Sequence, residues 1–174
     1  MFKDLENKLK YRKVNNFPED GVMFYDFTST FSDVKLMKEI SSVFSDYILK
    51  EYGSIDYIIM PQSRGYIIGS YLASYMNVDT IPILKYGKLP RESVLDSYVY
   101  KTEYSLDCLD LPNLNIDLKD KKCVFIDDVF ATGGTYDCCK SMIEAYGGKV
   151  LCSLTILDIG ISNSQENKSI MRLK

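Results

Sequence analysis

Apolar positions along the chain fall into runs of two periods. Behind Ser32 and Asp33, whose side chains suit a helix N-cap, Leu36, Met37, Ile40, Val43, Phe44, Tyr47 and Ile48 recur at helical spacing until Gly53. Phe2, Leu5 and Leu9 repeat the helical spacing on a smaller scale and predict a first helix over residues 2–11. Short, nearly continuous apolar runs read instead as buried strands: IDYIIM at 55–60, TIPIL at 80–84, CVFI at 123–126 and VLCSLTIL at 150–157. Between them, IIGSYLASYM at 67–76 and the segment 136–146, closed by Gly147 and Gly148, read as helices. Strands alternating with helices predict an α/β fold with a central, mostly parallel sheet flanked by helices.

Three stretches break the pattern. NNFPEDGVMFYDF begins with breakers and turns aromatic, reading as a loop that runs into an ordered extended segment. Residues 85–116 are polar, aromatic and weakly periodic, which fits either a hairpin or a mobile flap. The tail NSQENKS is polar and reads as loop. The whole, residues 1–174, is expected to be one domain.

Composition narrows the chemistry. The hydrophobic fraction of 46% and charged fraction of 26% are those of a globular protein, and the net charge of −3 provides no basic footprint for nucleic acid. There is no histidine, which excludes imidazole catalysis and most zinc sites and leaves carboxylates, lysines, tyrosines and main-chain groups. The five cysteines form no CxxC pair and read as reduced thiols. No apolar run reaches the roughly 18 residues of a membrane helix, and MFKDLENKLK lacks an apolar signal core. A cytosol-like compartment is expected, with neither a membrane nor a nucleic acid as partner.

The densest chemical signal is VFIDDVFATGGT at 124–135. An apolar strand ends in two adjacent acids, a short loop carries Thr132, Gly133, Gly134 and Thr135, and a helix begins. Ligands of open α/β sheets gather beyond the carboxyl ends of the strands, where helix N-termini offer free N–H groups. Glycines allow that backbone close to a phosphate. No GK[ST] follows, so this is not a loop of the nucleoside-triphosphate type. The acids upstream would repel a phosphate but suit sugar hydroxyls, which need acceptors. Phosphate beside diol is the pattern of a ribose 5-phosphate.

This segment resembles the motif of type I phosphoribosyltransferases that binds phosphoribosyl pyrophosphate (PRPP). The chain from about Phe17 to Ile156 resembles the adenine branch of that family, through FPEDGVMFYDFTSTFSD, IDYIIMPQSRGYIIGSYLA, ILKYGKLP and DDVFATGGT. The resemblance implies the type I fold, with an N-terminal base-binding region at 1–33 and a flap at 85–116. It implies conversion of adenine and PRPP to AMP and pyrophosphate. Asp127 and Asp128 would hold the ribose hydroxyls, and Ala131, Thr132, Gly133, Gly134 and Thr135 the 5-phosphate. Ser63, Arg64 and Gly65, with Lys85 and Lys88, would meet the pyrophosphate. Met23, Phe24 and Tyr25 would form the base site, with Val129 on the other face of the purine. Glu103 in the flap would handle the purine proton, and Asp107 is the next acid along. Magnesium would arrive on PRPP without a direct protein ligand, and the enzyme would be a homodimer. Another purine as substrate, or a sensing module that binds PRPP without turnover, are the alternatives.

The chain departs from the family pattern at several positions. Pro61-Gln62 precede Ser63 where an acid is usual; Leu84, Tyr86 and Tyr25 stand where the family carries basic residues; and Ser105 replaces a glycine. Three positive charges are thereby missing around a polyanionic ligand.

Overall fold

The computed structural model describes residues 2–101, 106–162 and 164–173. Strands β3 (Tyr57–Pro61), β4 (Asp79–Lys85), β5 (Val94–Lys101), β6 (Leu106–Pro112), β7 (Lys122–Phe130), β8 (Lys149–Asp158) and β9 (Asn167–Arg172) form one sheet in the order β5-β6-β4-β3-β7-β8-β9. Pairs β4-β3, β3-β7, β7-β8 and β8-β9 are parallel, and the β5-β6 hairpin joins β4 antiparallel at one edge. The α/β fold read from the sequence is the one observed.

Side-chain alternation along the central strands creates two cores. Ile58 and Met60 of β3, with Val124 and Ile126 of β7, face α3 (Val34–Tyr52) and α4 (Arg64–Met76), where Met37, Ile40, Phe44, Ile48, Ile68 and Leu72 are buried. Ile59, Cys123 and Phe125 point the other way, toward Tyr136, Cys139, Met142 and Ile143 of α5 (Gly134–Ala145). The strands read as continuous apolar runs because both faces are covered. Asp33 caps α3 as expected, its side chain accepting from the Leu36 amide, and Gly53 ends the helix at φ 71°. None of the helices among the described residues is long and apolar enough to cross a membrane.

Three local expectations are corrected. The first helix, α1, stops at Glu6 rather than near residue 11. Thr30 captures the next segment: the Lys10 amide donates to Thr30 Oγ1, whose hydroxyl donates to the Lys10 carbonyl, at 2.9 and 2.8 Å. The chain then extends into β1 (Arg12–Asn15), which pairs antiparallel with β2 (Met23–Asp26). The strand expected at 123–126 continues through Asp127, Asp128 and Val129 to Phe130, because β8 pairs with it as far as Asp158. The polar tail is partly a strand. Asn167 opens β9, and its side chain lies in a buried network with Ser153, Thr155 and Asp158 while Ile170 and Met171 enter the core. Pairing of its polar groups lets a hydrophilic segment sit beside β8.

The connectivity creates a switch point. From β3 the chain crosses by α4 to β4 on one side, whereas β7 lies on the other side of β3 and leads by α5 to β8. The carboxyl ends of β3 and β7 therefore diverge into a crevice, the position where such sheets bind ligands.

Candidate active site

A cavity of about 510 Å³ opens at that crevice. Its floor is the end of β7 and the following loop: Asp127, Asp128, Val129 and Phe130, then Ala131, Thr132, Gly133, Gly134 and Thr135. Gly133 precedes α5 at φ 91°, and a Cβ there would stand 3.2 Å from the Phe130 ring, so glycine suits both backbone and space. Gly133, without a side chain, is the N-cap of α5, and the Gly134 amide makes only a long contact of 3.4 Å to Thr132 Oγ1, so helix N-terminal donors remain for an anion.

The opposite wall comes from distant segments. Met23, Phe24 and Tyr25 of β2 line it with Phe17. Phe24 is boxed in: Phe17 meets it edge-on at 4.9 Å between centroids, and the Arg64 guanidinium lies 4.9 Å from its centroid. Arg64 opens α4, and its Nη1 stands 3.2 Å from Asp128 Oδ2. That distance is an ion pair without hydrogen-bond alignment, and the oxygen is buried with no hydrogen-bond partner among the described residues. Asp128 is 1% exposed, so an unmet acceptor sits in the cavity wall. Lys85, at the end of β4, lines the rim with Asp107 and Tyr100 of the edge hairpin.

The comparisons with known proteins agree with this geometry. Residues 32–174 match the phosphoribosyl transferase domain family. The adenine phosphoribosyltransferase of Acetivibrio thermocellus is 32% identical over 162 residues, covering 93% of this chain and 92% of the relative. That of Petrotoga mobilis is 35% identical, covering 90% and 87%. The crystal structure of adenine phosphoribosyltransferase from Thermoanaerobacter pseudethanolicus superposes with a TM-score of 0.85 at 26% identity, covering 99% of this chain and all of that one. The chain belongs to the adenine phosphoribosyltransferase family. The membership agrees with the resemblance read from the sequence and makes the protein a phosphoribosyltransferase, a pentosyl-transferring enzyme.

Within that family frame, most of the expected site residues share one cavity. Ser63, Gly65 and Lys88 do not line it. Gly65 serves packing: a Cβ there would lie 2.7 Å from Pro61 Cδ and 2.9 Å from the Ile126 carbonyl, so α4 can begin this close to β7 only with glycine. Ser63 precedes α4 with a side chain that makes no cap hydrogen bond. Lys88 sits in the exposed turn after β4, where the Gly87 amide donates to Asp110 Oδ2. Glu103 lies outside the described residues.

Of the departures from the family pattern, Gln62, Tyr86 and Tyr25 have structural counterparts, and Ser105 lies outside the described residues. Gln62 accepts the Lys85 amide at its Oε1 while its own amide donates to the Ile83 carbonyl, so it clips the loop before α4 to the end of β4. Tyr86 is exposed, with the Arg91 guanidinium 5.5 Å from its ring centroid. Tyr25 is stacked loosely on Tyr11 and lies 5.8 Å from Lys13 Nζ.

Electrostatics of the floor follow from burial. Asp127 is driven well above the ordinary carboxyl range, first by desolvation and then by the charge of Asp128. Asp128 is raised by desolvation, with Arg64 opposing. Of the two, Asp127 lies beside a like charge, whereas Arg64 favours the ionised form of Asp128. Burial also pushes the Tyr100 phenol up to about 12, in the same cavity that Thr135 lines. Phe17, Gln62 and Tyr100 were not singled out from the sequence as site residues. The quoted FP and QSRG blocks contained the first two, and only the fold brings Tyr100 to the cavity that the 131–135 loop lines.

Proposed function

We propose that this cavity transfers the phosphoribosyl group of PRPP to adenine, forming the bond from C1 of the ribose to the purine nitrogen as the C1–pyrophosphate oxygen bond breaks. Adjacency of the glycine loop Ala131–Thr135 to the acids Asp127, half-buried, and Asp128, buried with an unmet oxygen, carries the reading. A 5-phosphate on the loop places the ribose diol against the acids, where Asp128 Oδ2 has capacity to accept. Arg64 and Lys85 face the pyrophosphate side, and Ser63, Gly65 and Lys88 contribute there through the loop and turn they build. Phe24 supplies the ring against adenine, with the Met23–Tyr25 main chain reading its edge and Val129 opposite. Residues 1–33 then act as the base-binding region and 85–116 as the flap, within one domain. Glu103 of the flap exchanges the purine proton. Charge developing at C1 is stabilised by the fixed carboxylates and by exclusion of water under the flap.

Magnesium fits as a ligand-borne ion. No group of three or more acidic or thiol side chains able to cage a metal occurs among the described residues, yet Asp127 and Asp128 offer oxygens beside the diol. Mg²⁺ keeps most of its shell from water and phosphate, and when bound it neutralises pyrophosphate charge. The free thiols of all five cysteines support a reducing compartment, and the 13% aromatic content supports a homodimer, for which a dimer mass in light scattering is the check.

The deciding experiment is product analysis with PRPP and Mg²⁺ and each of adenine, hypoxanthine, guanine and xanthine. AMP from adenine, abolished by exhaustive chelation, is the expected result. Turnover of another base alone would shift the substrate, and PRPP binding with no product from any base would make the chain a sensor.

A further inference from the structure

The cavity is short of positive charge in an unusual way. Among the described residues that line it, the cations are Arg64 and Lys85, and each is already paired with an acid of the same cavity. Arg64 faces Asp128 at 3.2 Å, and Lys85 Nζ stands 3.7 Å from Asp107 Oδ2. The three lining acids, Asp107, Asp127 and Asp128, outnumber the two cations. Asp127 and Asp128 have sugar hydroxyls to accept. Asp107 does not belong to that pair: it sits on the hairpin strand β6, directly opposite Tyr100, which lines the cavity with Thr135.

Strand register fixes this placement. Lys85 pairs with Leu109 across the β4-β6 ladder, so Asp107 falls two residues along the same strand and its side chain meets the Lys85 head group over the rim. Its Oδ1 accepts from the Cys108 amide at 2.8 Å, which leaves Oδ2 for the lysine. With Leu84 and Tyr86 uncharged, Lys85 is left as the cation that the β4 end contributes to this cavity.

We propose that Asp107 is a built-in competitor for the pyrophosphate subsite: its carboxylate neutralises Lys85 in the free enzyme and must give the lysine up when the pyrophosphate group of PRPP binds. The inference rests on the PRPP reading above. In this arrangement Asp107 weakens the hold on pyrophosphate, both as leaving group and as product. The side chains of Lys85 and Asp107 are 55% and 32% exposed, so the pair is screened by salt and worth little by itself. Its consequence is larger for a ligand bearing several negative charges, each of which meets the Asp107 charge at short range.

The test is calorimetric titration of inorganic pyrophosphate, PRPP and AMP, with Mg²⁺, into the parent enzyme, Asp107→Asn and Lys85→Gln. Asparagine keeps the oxygen that accepts from Cys108, and an unchanged melting temperature verifies the fold. Asp107→Asn is expected to tighten pyrophosphate and PRPP about three- to tenfold at low ionic strength, with the gain fading at high salt and AMP affinity unchanged. Lys85→Gln is expected to weaken both ligands. Unchanged or weaker pyrophosphate binding in Asp107→Asn, with AMP binding intact, would overturn the inference alone; a metal-anchoring role for Asp107 gives that result. A parent enzyme that binds neither AMP nor PRPP would remove the PRPP reading, and this inference with it.

Discussion

The two ends of the cavity are built by opposite strategies. The end proposed for the ribose phosphate is one contiguous stretch, Asp127 to Thr135, carried on a strand that lies between two neighbours and is handed directly to α5. The base and pyrophosphate end is assembled from Phe17, β2, the start of α4, the end of β4 and the edge hairpin. At the first end Asp128 is buried and Asp127 half-buried before any ligand arrives. The second is open at the rim, its aromatic rings and cations engaged with one another: Arg64 with Phe24 and Asp128, Lys85 with Asp107. A ligand therefore completes the first end and rearranges the second. On the proposed reading, strength of binding belongs to the floor, and discrimination and release belong to the rim.

The sharpest way to break this division is at the flap. Glu103→Gln should lower turnover by about 10²–10⁴-fold with PRPP affinity nearly intact, since a general acid–base group acts on the reacting proton and not on the held phosphate. Steady-state kinetics beside calorimetry separates the two, and turnover within about twofold of the parent would take the proton-handling role away from this residue. Next comes the floor. Asp128→Asn should weaken PRPP by about 10- to 100-fold, the value of a charge-assisted hydrogen bond to a ribose hydroxyl. Equal PRPP affinity in calorimetry would mean that the buried oxygen serves only Arg64.

How much of this was legible in the sequence follows the same division. The floor could be read because its parts are adjacent in the chain: two acids, two glycines and the flanking threonines in one segment between a strand and a helix. Even there the strand was cut short at Ile126, since acids argue against a buried strand until β8 is known to pair with Asp127 through Thr155. The rim was legible only through resemblance. That Gln62 clips the Lys85 amide, or that Asp107 meets Lys85, depends on the loop conformation and on the β4-β6 register, which no local spacing encodes. Strand β9 was hidden for a related reason: the polar segment pairs through Asn167 with hydroxyls on β8 that are themselves unremarkable in sequence.

A smaller effect should mark the base side of the rim. Phe24→Leu keeps apolar volume but removes the ring between Phe17 and Arg64, so KM for adenine should rise about three- to tenfold while PRPP binding changes little, the range expected for a lost aromatic contact. If PRPP binding falls as far as adenine binding, the Arg64–Phe24 contact governs the pyrophosphate side as well, and the two ends are less separate than their construction indicates.

The smallest effect concerns the stability of the floor itself. Burial and the neighbouring charge raise the Asp127 carboxyl above its ordinary value of 3.8 in the folded protein. Between the unfolded and folded values the folded state holds more protons than the unfolded chain, so stability falls as pH rises through that window. Below about pH 4 the carboxyl is neutral in both states and costs nothing. Above the folded value its charge stands half-buried beside Asp128 with no ligand to offset it. Asp127→Asn removes that charge and keeps the oxygen that accepts the Asp128 amide at 2.9 Å. The ligand-free variant should therefore melt about 2–4 °C above the parent near pH 8, the shift that about 1 kcal/mol produces in a domain of this size. The two should converge as pH falls below the unfolded value of 3.8. Saturating PRPP should reverse their order at pH 8, because only the parent gains the full binding energy of the diol. A variant that melts with or below the parent at pH 8 without ligand would show that the floor carries no charge burden, and the contrast with the rim would then rest on geometry alone.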